Sequence, residues 1–223
     1  MENKVRGISL KIVLAIYFVI FYAVWAIFEL VFIPLIDDGI NNEILSTVLK
    51  DCVIKNLVWT VPAVLLVRHF SADMRFKLKE MFTEKVNWIS YLPIFAAFTL
   101  YILVNVYITK GLLKVDEDFG VSSIIKLLFV GITEEMVFRG LLLNATIRDD
   151  KKWKYLLLNA VMFLLIHFPI WIRNGIFIPY LRSFSFVFLM MLSLIFSVSF
   201  LKSKSILVPI ALHMYWDLLT FIF

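Results

Sequence analysis

Glu134, Glu135 and Arg139 interrupt an otherwise apolar stretch at 124–140, and His167, His213 and Asp217 interrupt two more. Carboxylates and imidazoles are the groups that exchange protons near neutral pH, and together they can activate a water molecule by general acid–base chemistry. The same groups can bind a metal ion or relay protons. Spacing sorts them. Residues four apart share a helix face, so Glu135 can pair with Arg139, and His213 lies beside Asp217. Glu134 is turned about 100° from Glu135 and cannot share that pairing. Glu135 is therefore expected to be a fixed, ionised support, which leaves Glu134 to serve as a general base. Two histidines on separate segments beside a Glu-Glu pair favour one shared site over independent packing roles.

The elements that must position these groups follow from composition. The 223-residue chain is 62% apolar and 17% charged, with a mean hydropathy of +0.92. A soluble domain carries roughly 45–50% apolar and about 25% charged residues. The single Cys52 excludes an intrachain disulfide scaffold. What remains is a protein that crosses the bilayer several times. A span needs about 20 mostly apolar residues, and seven segments meet or approach that: 8–36, 52–67, 88–109, 121–147, 153–172, 181–201 and 205–223. Strand-type alternation is absent, which argues against a β-barrel. The expected fold is all-α, a polytopic transmembrane helical bundle of about seven spans (six to eight) in a single membrane domain, 1–223. The first segment reads as a permanent anchor rather than a cleaved signal.

The net charge of +5 matters through its distribution. Lys4, Arg6, Arg68, Arg75, Lys77, Lys79, Lys85, Arg148, Lys151, Lys152, Lys154, Lys202 and Lys204 fall in alternate loops, 13 positives in all. The intervening loops hold 5: Lys50, Lys110, Lys114, Arg173 and Arg182. Positive loops stay cytoplasmic, so the N-terminus is expected inside and the C-terminus outside, with the plasma membrane as the expected location. Membrane lipids are expected partners and nucleic acid is not.

A full charge at the bilayer centre costs about 2.5–3.5 kcal/mol, so Glu134, Glu135, Arg139 and Asp217 would together cost roughly 10–14 kcal/mol before pairing. That rivals the net stability of a whole fold and demands pairing, hydration or function. Other polar groups read more simply. Glu29 is expected near the outer interface or paired locally. Lys11, Lys55 and Lys126 lie near span ends and can snorkel. Asn105, Asn144 and Asn159 are candidates for hydrogen bonds between helices, and Thr133 for a bond to its own helix. Trp88, Trp153 and Trp171 look like interfacial belt residues, and His69 beside Arg68 like an interfacial residue. Cys52 has no evident acid–base neighbour, no Ser sits in a nucleophile elbow, and there is no HExxH helix.

These residues resemble the motifs of the CPBP family of intramembrane proteases, named for CAAX prenyl proteases and bacteriocin-processing enzymes and also called the Abi family. Its Glu-Glu-x-x-x-Arg motif is matched by Glu134–Glu135 and Arg139, its Phe-x-x-x-His by Phe163 and His167, and its His-x-x-x-(Asn/Asp) by His213 and Asp217. The resemblance covers roughly 121–223, the motif-bearing core. It implies a helical, polytopic endopeptidase acting on peptide or protein substrates, lipidated or membrane-embedded. It also implies Glu134 as general base, His167 as a holder of the attacking water, Glu135 and Arg139 as supports, and His213 with Asp217 as the oxyanion-stabilising pair. An ionised Asp217 would repel an oxyanion, so it would act as a neutral acid or by orienting His213. No cofactor is expected, although Glu, His and His would serve as zinc ligands in a metal-dependent alternative. A non-catalytic immunity, binding or proton-relay protein would use the same groups. At 1.5 Å per residue, His167 comes out nearer the outer end of its segment than the other groups do, so a shared site requires that helix to tilt or the segment boundaries to lie elsewhere.

Overall fold

The computed structural model describes residues 9–223; Lys4 and Arg6, which enter the charge count, lie outside the described residues. All regular structure among the described residues is helical. The helices are α1 (Leu10–Gly39), α2 (43–69), α3 (Leu78–Thr83), α4 (Trp88–Lys110), α5 (121–146), α6 (Asp149–Arg173), α7 (Phe177–Arg182), α8 (Ser185–Ser203) and α9 (Leu207–Ile222). Four of them, α1, α4, α6 and α8, are long and apolar enough to cross a membrane, and α9 is apolar but shorter. The outside is the apolar side: Val19 and Ile108 are 71% and 75% exposed, whereas Glu135, Arg139 and Asn159 are buried. Hydrocarbon as the surrounding solvent accounts for that inversion.

Local chemistry sets the helix ends. Asn42 starts α2 by accepting a hydrogen bond from the Leu45 amide at 2.9 Å. Gly111, at φ +74°, ends α4 in the left-handed region, where a Cβ would be strained. The expected segment 52–67 is the inner part of a longer helix, because Lys50 and Asp51 break the apolar run without breaking the helix. The expected start of the sixth segment at residue 181 falls in the separate short helix α7. The tilt expected for the His167 segment takes the form of a break at Ile166. Pro169 has no N–H to offer Leu165, four residues earlier, and its ring crowds that carbonyl.

Three helices carry π-helical stretches, at 28–32 in α1, 48–54 and 56–60 in α2, and 136–143 in α5. These hold or adjoin the buried Glu29, Lys55, Glu135 and Arg139 and the half-buried Asp51. Widened turns of this kind recur at functional sites.

Polar contacts gather the loops at two ends. At one end the Ile206 amide and the Ser205 hydroxyl both donate to the Met81 carbonyl, at 2.9 and 3.1 Å, and Arg75 pairs with Asp149 at 2.9 Å. At the other, the Asp116 amide donates to the Ile222 carbonyl at 2.7 Å. Asn144, fully buried, clasps the loop after α2: its amide donates to the Phe76 carbonyl at 2.8 Å and its carbonyl accepts from the Phe76 amide at 2.8 Å. Asn144→Ala removes the partners of two half-buried backbone groups of Phe76, at a cost of about 1 kcal/mol each. Thermal unfolding of the variant in micelles should begin well below that of the parent; an unchanged midpoint would mean that other contacts hold the loop.

Two apolar clusters fill the interior, one around Trp25, Trp59, Phe138 and Phe163 and one around Phe98, Phe196 and Leu212. The ionisable groups lie where the two meet.

Candidate active site

Arg139 is fully buried and every edge of its guanidinium is occupied. Nη1 donates to Glu135 Oε1 at 2.9 Å, Nη2 to the carbonyl and hydroxyl of Ser193 at 2.9 and 2.8 Å, and Nε to Ser197 Oγ at 3.3 Å. Its faces lie 4.6 Å from the Phe163 ring and 5.4 Å from the Phe196 ring, one from each apolar cluster. A charge this deep persists because it is paired and hydrogen-bonded at all three nitrogens. Asn159 completes the scaffold, donating to the Phe138 carbonyl at 2.7 Å and accepting from Ser197 at 3.0 Å.

Glu135 Oε1 is shared: besides Arg139 it faces His213 Nδ1 at 2.8 Å, which ties α5 to α9. An ionised carboxylate only accepts, so Nδ1 carries the proton. That leaves His213 Nε2 directed at two other carboxylates, Glu134 Oε2 at 3.9 Å and Asp217 Oδ2 at 3.7 Å. The imidazole is clamped flat against Phe196, with centroids 5.0 Å apart and planes at 19°.

Glu134 differs from Glu135 as the helical spacing predicts. Both are buried and both have an Oε2 without a hydrogen-bond partner among the described residues, but Glu135 Oε1 is held twice, whereas the Glu134 carboxylate makes no hydrogen bond there at all. Glu134 Oε1 lies 3.9 Å from Lys55 Nζ. Lys55 does not snorkel: it is 5% exposed, 3.6 Å from Asp51, and set against the rings of Trp25 and Trp59 at 5.1 and 5.2 Å. The physical reason is that α2 extends well beyond the apolar run, which puts Lys55 in mid-helix. Glu29, also buried, pairs with Arg173 of α6 at 3.3 Å rather than locally.

His167 stands apart from the polar chain. Its Nδ1 faces the Phe163 carbonyl at 3.0 Å, and the Phe163 ring lies 5.2 Å from the His167 ring and 6.0 Å from that of His213. It lines a groove of about 400 Å³ together with Asn105, Trp171, Tyr180, Ser185 and Trp216. Trp171 is 5% exposed and belongs to the interior, not to an interfacial belt; Trp88 and Trp153 are exposed. Thr133 bonds to its own helix, through the Val130 carbonyl. Glu134, Glu135, Arg139, His213 and Asp217 thus form one connected cluster, with His167 one aromatic ring away. Lys55, Ser193 and Ser197 join it without any distinguishing signal in the sequence.

Among the described residues no three His, Cys, Asp or Glu side chains are grouped as a metal ion requires. Glu135 Oε1 and His213 Nδ1 are committed to each other, which leaves Glu134 and His213 Nε2 as the donors free for water or an ion.

Residues 117–219 match the family model of the Rce1-like type II CAAX prenyl endopeptidases. All three motifs lie within the Rce1-like stretch, which bears out the resemblance to the CAAX proteases. With the apolar helices, the match supports an integral membrane protein, and the matched family implies a protease. No curated protein and no solved structure matches the chain.

Proposed function

We propose that the chain is an intramembrane endopeptidase that hydrolyses a peptide bond with a water activated by Glu134. The observation that carries this reading is the contrast between two adjacent carboxylates. Glu135 Oε1 accepts from Arg139 on α5 and faces His213 on α9, with only its Oε2 unpartnered, whereas the Glu134 carboxylate takes part in no hydrogen bond among the described residues and holds Oε2 3.9 Å from an imidazole nitrogen. Glu134 takes a proton from water as the water oxygen attacks the carbonyl carbon, and later returns it to the leaving amine. His213, oriented through Nδ1 by Glu135, donates from a protonated Nε2 to the oxyanion of the tetrahedral intermediate. Asp217 orients that imidazole. His167, on the wall of the aromatic groove, helps to hold the water where substrate arrives. Arg139 fixes Glu135. The substrate is a peptide carrying a lipid or lying in the membrane, as the family description implies.

Seven crossings, with the N-terminus cytoplasmic in the plasma membrane, fit the two sets of loops and the excess of Lys and Arg at the end bearing Arg75, Lys85 and Lys202.

Purified protein in micelles should cleave a farnesylated peptide ending in a CAAX sequence, at the same rate after exhaustive chelation. Absence of cleavage, or activity that tracks a stoichiometric ion, defeats this reading. In the same assay Lys55→Met keeps the packing against Trp25 and Trp59, since thioethers sit well on indoles, but removes the cation beside Glu134. Turnover is expected to fall by about tenfold, less than the 10²–10⁴-fold that a positioned acid–base group contributes, with little change in KM. Full turnover would confine Lys55 to a structural part.

A further inference from the structure

Two cavities join where α3, α4 and α8 meet. An apolar groove of about 530 Å³ is lined by Tyr91, Ile94, Met191, Ile195 and Val198, with Trp153 of α6. Its end opens into a polar chamber of about 330 Å³ bearing Lys85, Lys202 and Lys204. Ser90, Tyr91 and Lys202 line both, so the two form one amphiphilic cleft. Glu84 is the one acid on the chamber wall, and none of the three lysines takes part in an ion pair among the described residues. The cleft contains none of the residues assigned above to catalysis.

Each half of the cleft selects one part of a ligand. The apolar groove has the size of a small-molecule site but offers almost nothing to hydrogen-bond along its length. The chamber concentrates positive charge at one end of the groove, whose wall includes Trp153, 73% exposed and of the type that settles at a membrane interface. We propose that the cleft holds one anionic phospholipid, its phosphate among Lys85, Lys202 and Lys204 and one acyl chain along the groove between α4 and α8. Basic pockets at the cytoplasmic side of membrane bundles recognise anionic headgroups in this way. The leaflet follows from the topology proposed above; the binding itself does not depend on it, or on any protease activity.

Native mass spectrometry of the full chain in micelles tests this with phosphatidylglycerol and phosphatidylcholine of identical acyl chains. The first phosphatidylglycerol is expected to bind at least about tenfold more tightly than the first phosphatidylcholine, since each lysine near the headgroup adds to the attraction. In the triple variant Lys85→Gln, Lys202→Gln, Lys204→Gln, the preference should fall to near unity. Met191→Trp, at a side chain 54% exposed toward lipid, should narrow the groove and weaken both lipids alike. Melting curves without added lipid establish that each variant is folded; should the triple variant fail there, the parent's preference and Met191→Trp decide. Equal affinities in the parent, or an undiminished preference in the triple variant, would overturn the proposal. So would displacement of the bound phospholipid by a farnesylated peptide, which would make the cleft part of the substrate site.

Discussion

Glu134→Gln should give a protein that folds as well as the parent and cleaves nothing measurable. The substitution keeps shape and removes the proton acceptor. A positioned general base contributes typically 10²–10⁴-fold, so kcat is expected to drop by about three orders of magnitude. Stability should change little, because Oε2 has no hydrogen-bond partner among the described residues whose loss would be felt. Losing two long contacts, to Lys55 and His213 at 3.9 Å each, is offset by the smaller cost of burying a neutral amide. Lys55, 3.9 Å away, keeps Asp51 at 3.6 Å as its counter-ion. The pairing of lost turnover with undiminished melting temperature is what separates a reacting group from a strut. Retained cleavage of the farnesylated peptide would remove Glu134 from the chemistry, and with it the mechanism proposed for this site.

Arg139→Met should do the reverse, unfolding the bundle before it reports on chemistry. Four hydrogen bonds end on this guanidinium, and it is fully buried between Phe163 and Phe196. Removing one member of a buried pair costs about 3–5 kcal/mol, because the partner is left charged and unanswered. Arg139→Lys should recover little, since an ammonium cannot reproduce a planar fork that reaches Glu135, Ser193 and Ser197 at once. The double variant Glu135→Gln, Arg139→Met should cost less than the sum of the singles, the mark of direct coupling. Equilibrium unfolding in micelles measures all four. A loss below about 1 kcal/mol for Arg139→Met would reduce the pair to the worth of an exposed one.

Helical class and the approximate extents of α4 and α5 were legible because apolar runs there end at groups a helix cannot ignore, such as Gly111 and Gly120. The extent of α2 was not. Lys50, Asp51 and Lys55 truncate the apolar run, yet the helix continues through them: half-buried Lys50 pairs with Asp37, and buried Lys55 reaches Asp51 and Glu134. A span drawn from residue 52 puts Lys55 at its edge, where snorkelling is the natural expectation; a helix drawn from residue 43 puts it in the middle. The division between Glu134 and Glu135 was readable because it depends only on angles within one helix. The contact between Glu135 and His213 was not, because it depends on how α5 and α9 approach. Ser193 and Ser197 could not be distinguished from the other serines of α8, since a hydroxyl in an apolar helix normally bonds to its own backbone.

The approach of α5 to α9 is set one turn before Glu135. Gly131 faces Met214, and a Cβ on Gly131 would stand 2.8 Å from Met214 Cγ. Met214 directly follows His213 in the chain, so the missing methyl at residue 131 acts as a spacer of zero thickness for the imidazole. Swelling there would jack the last helix outward and pull His213 off its carboxylate while every acidic and basic residue stayed in place. Alignment of this centre is therefore answerable to a position that takes no part in proton traffic, and a bulkier residue 131 would call for a slimmer neighbour at 214.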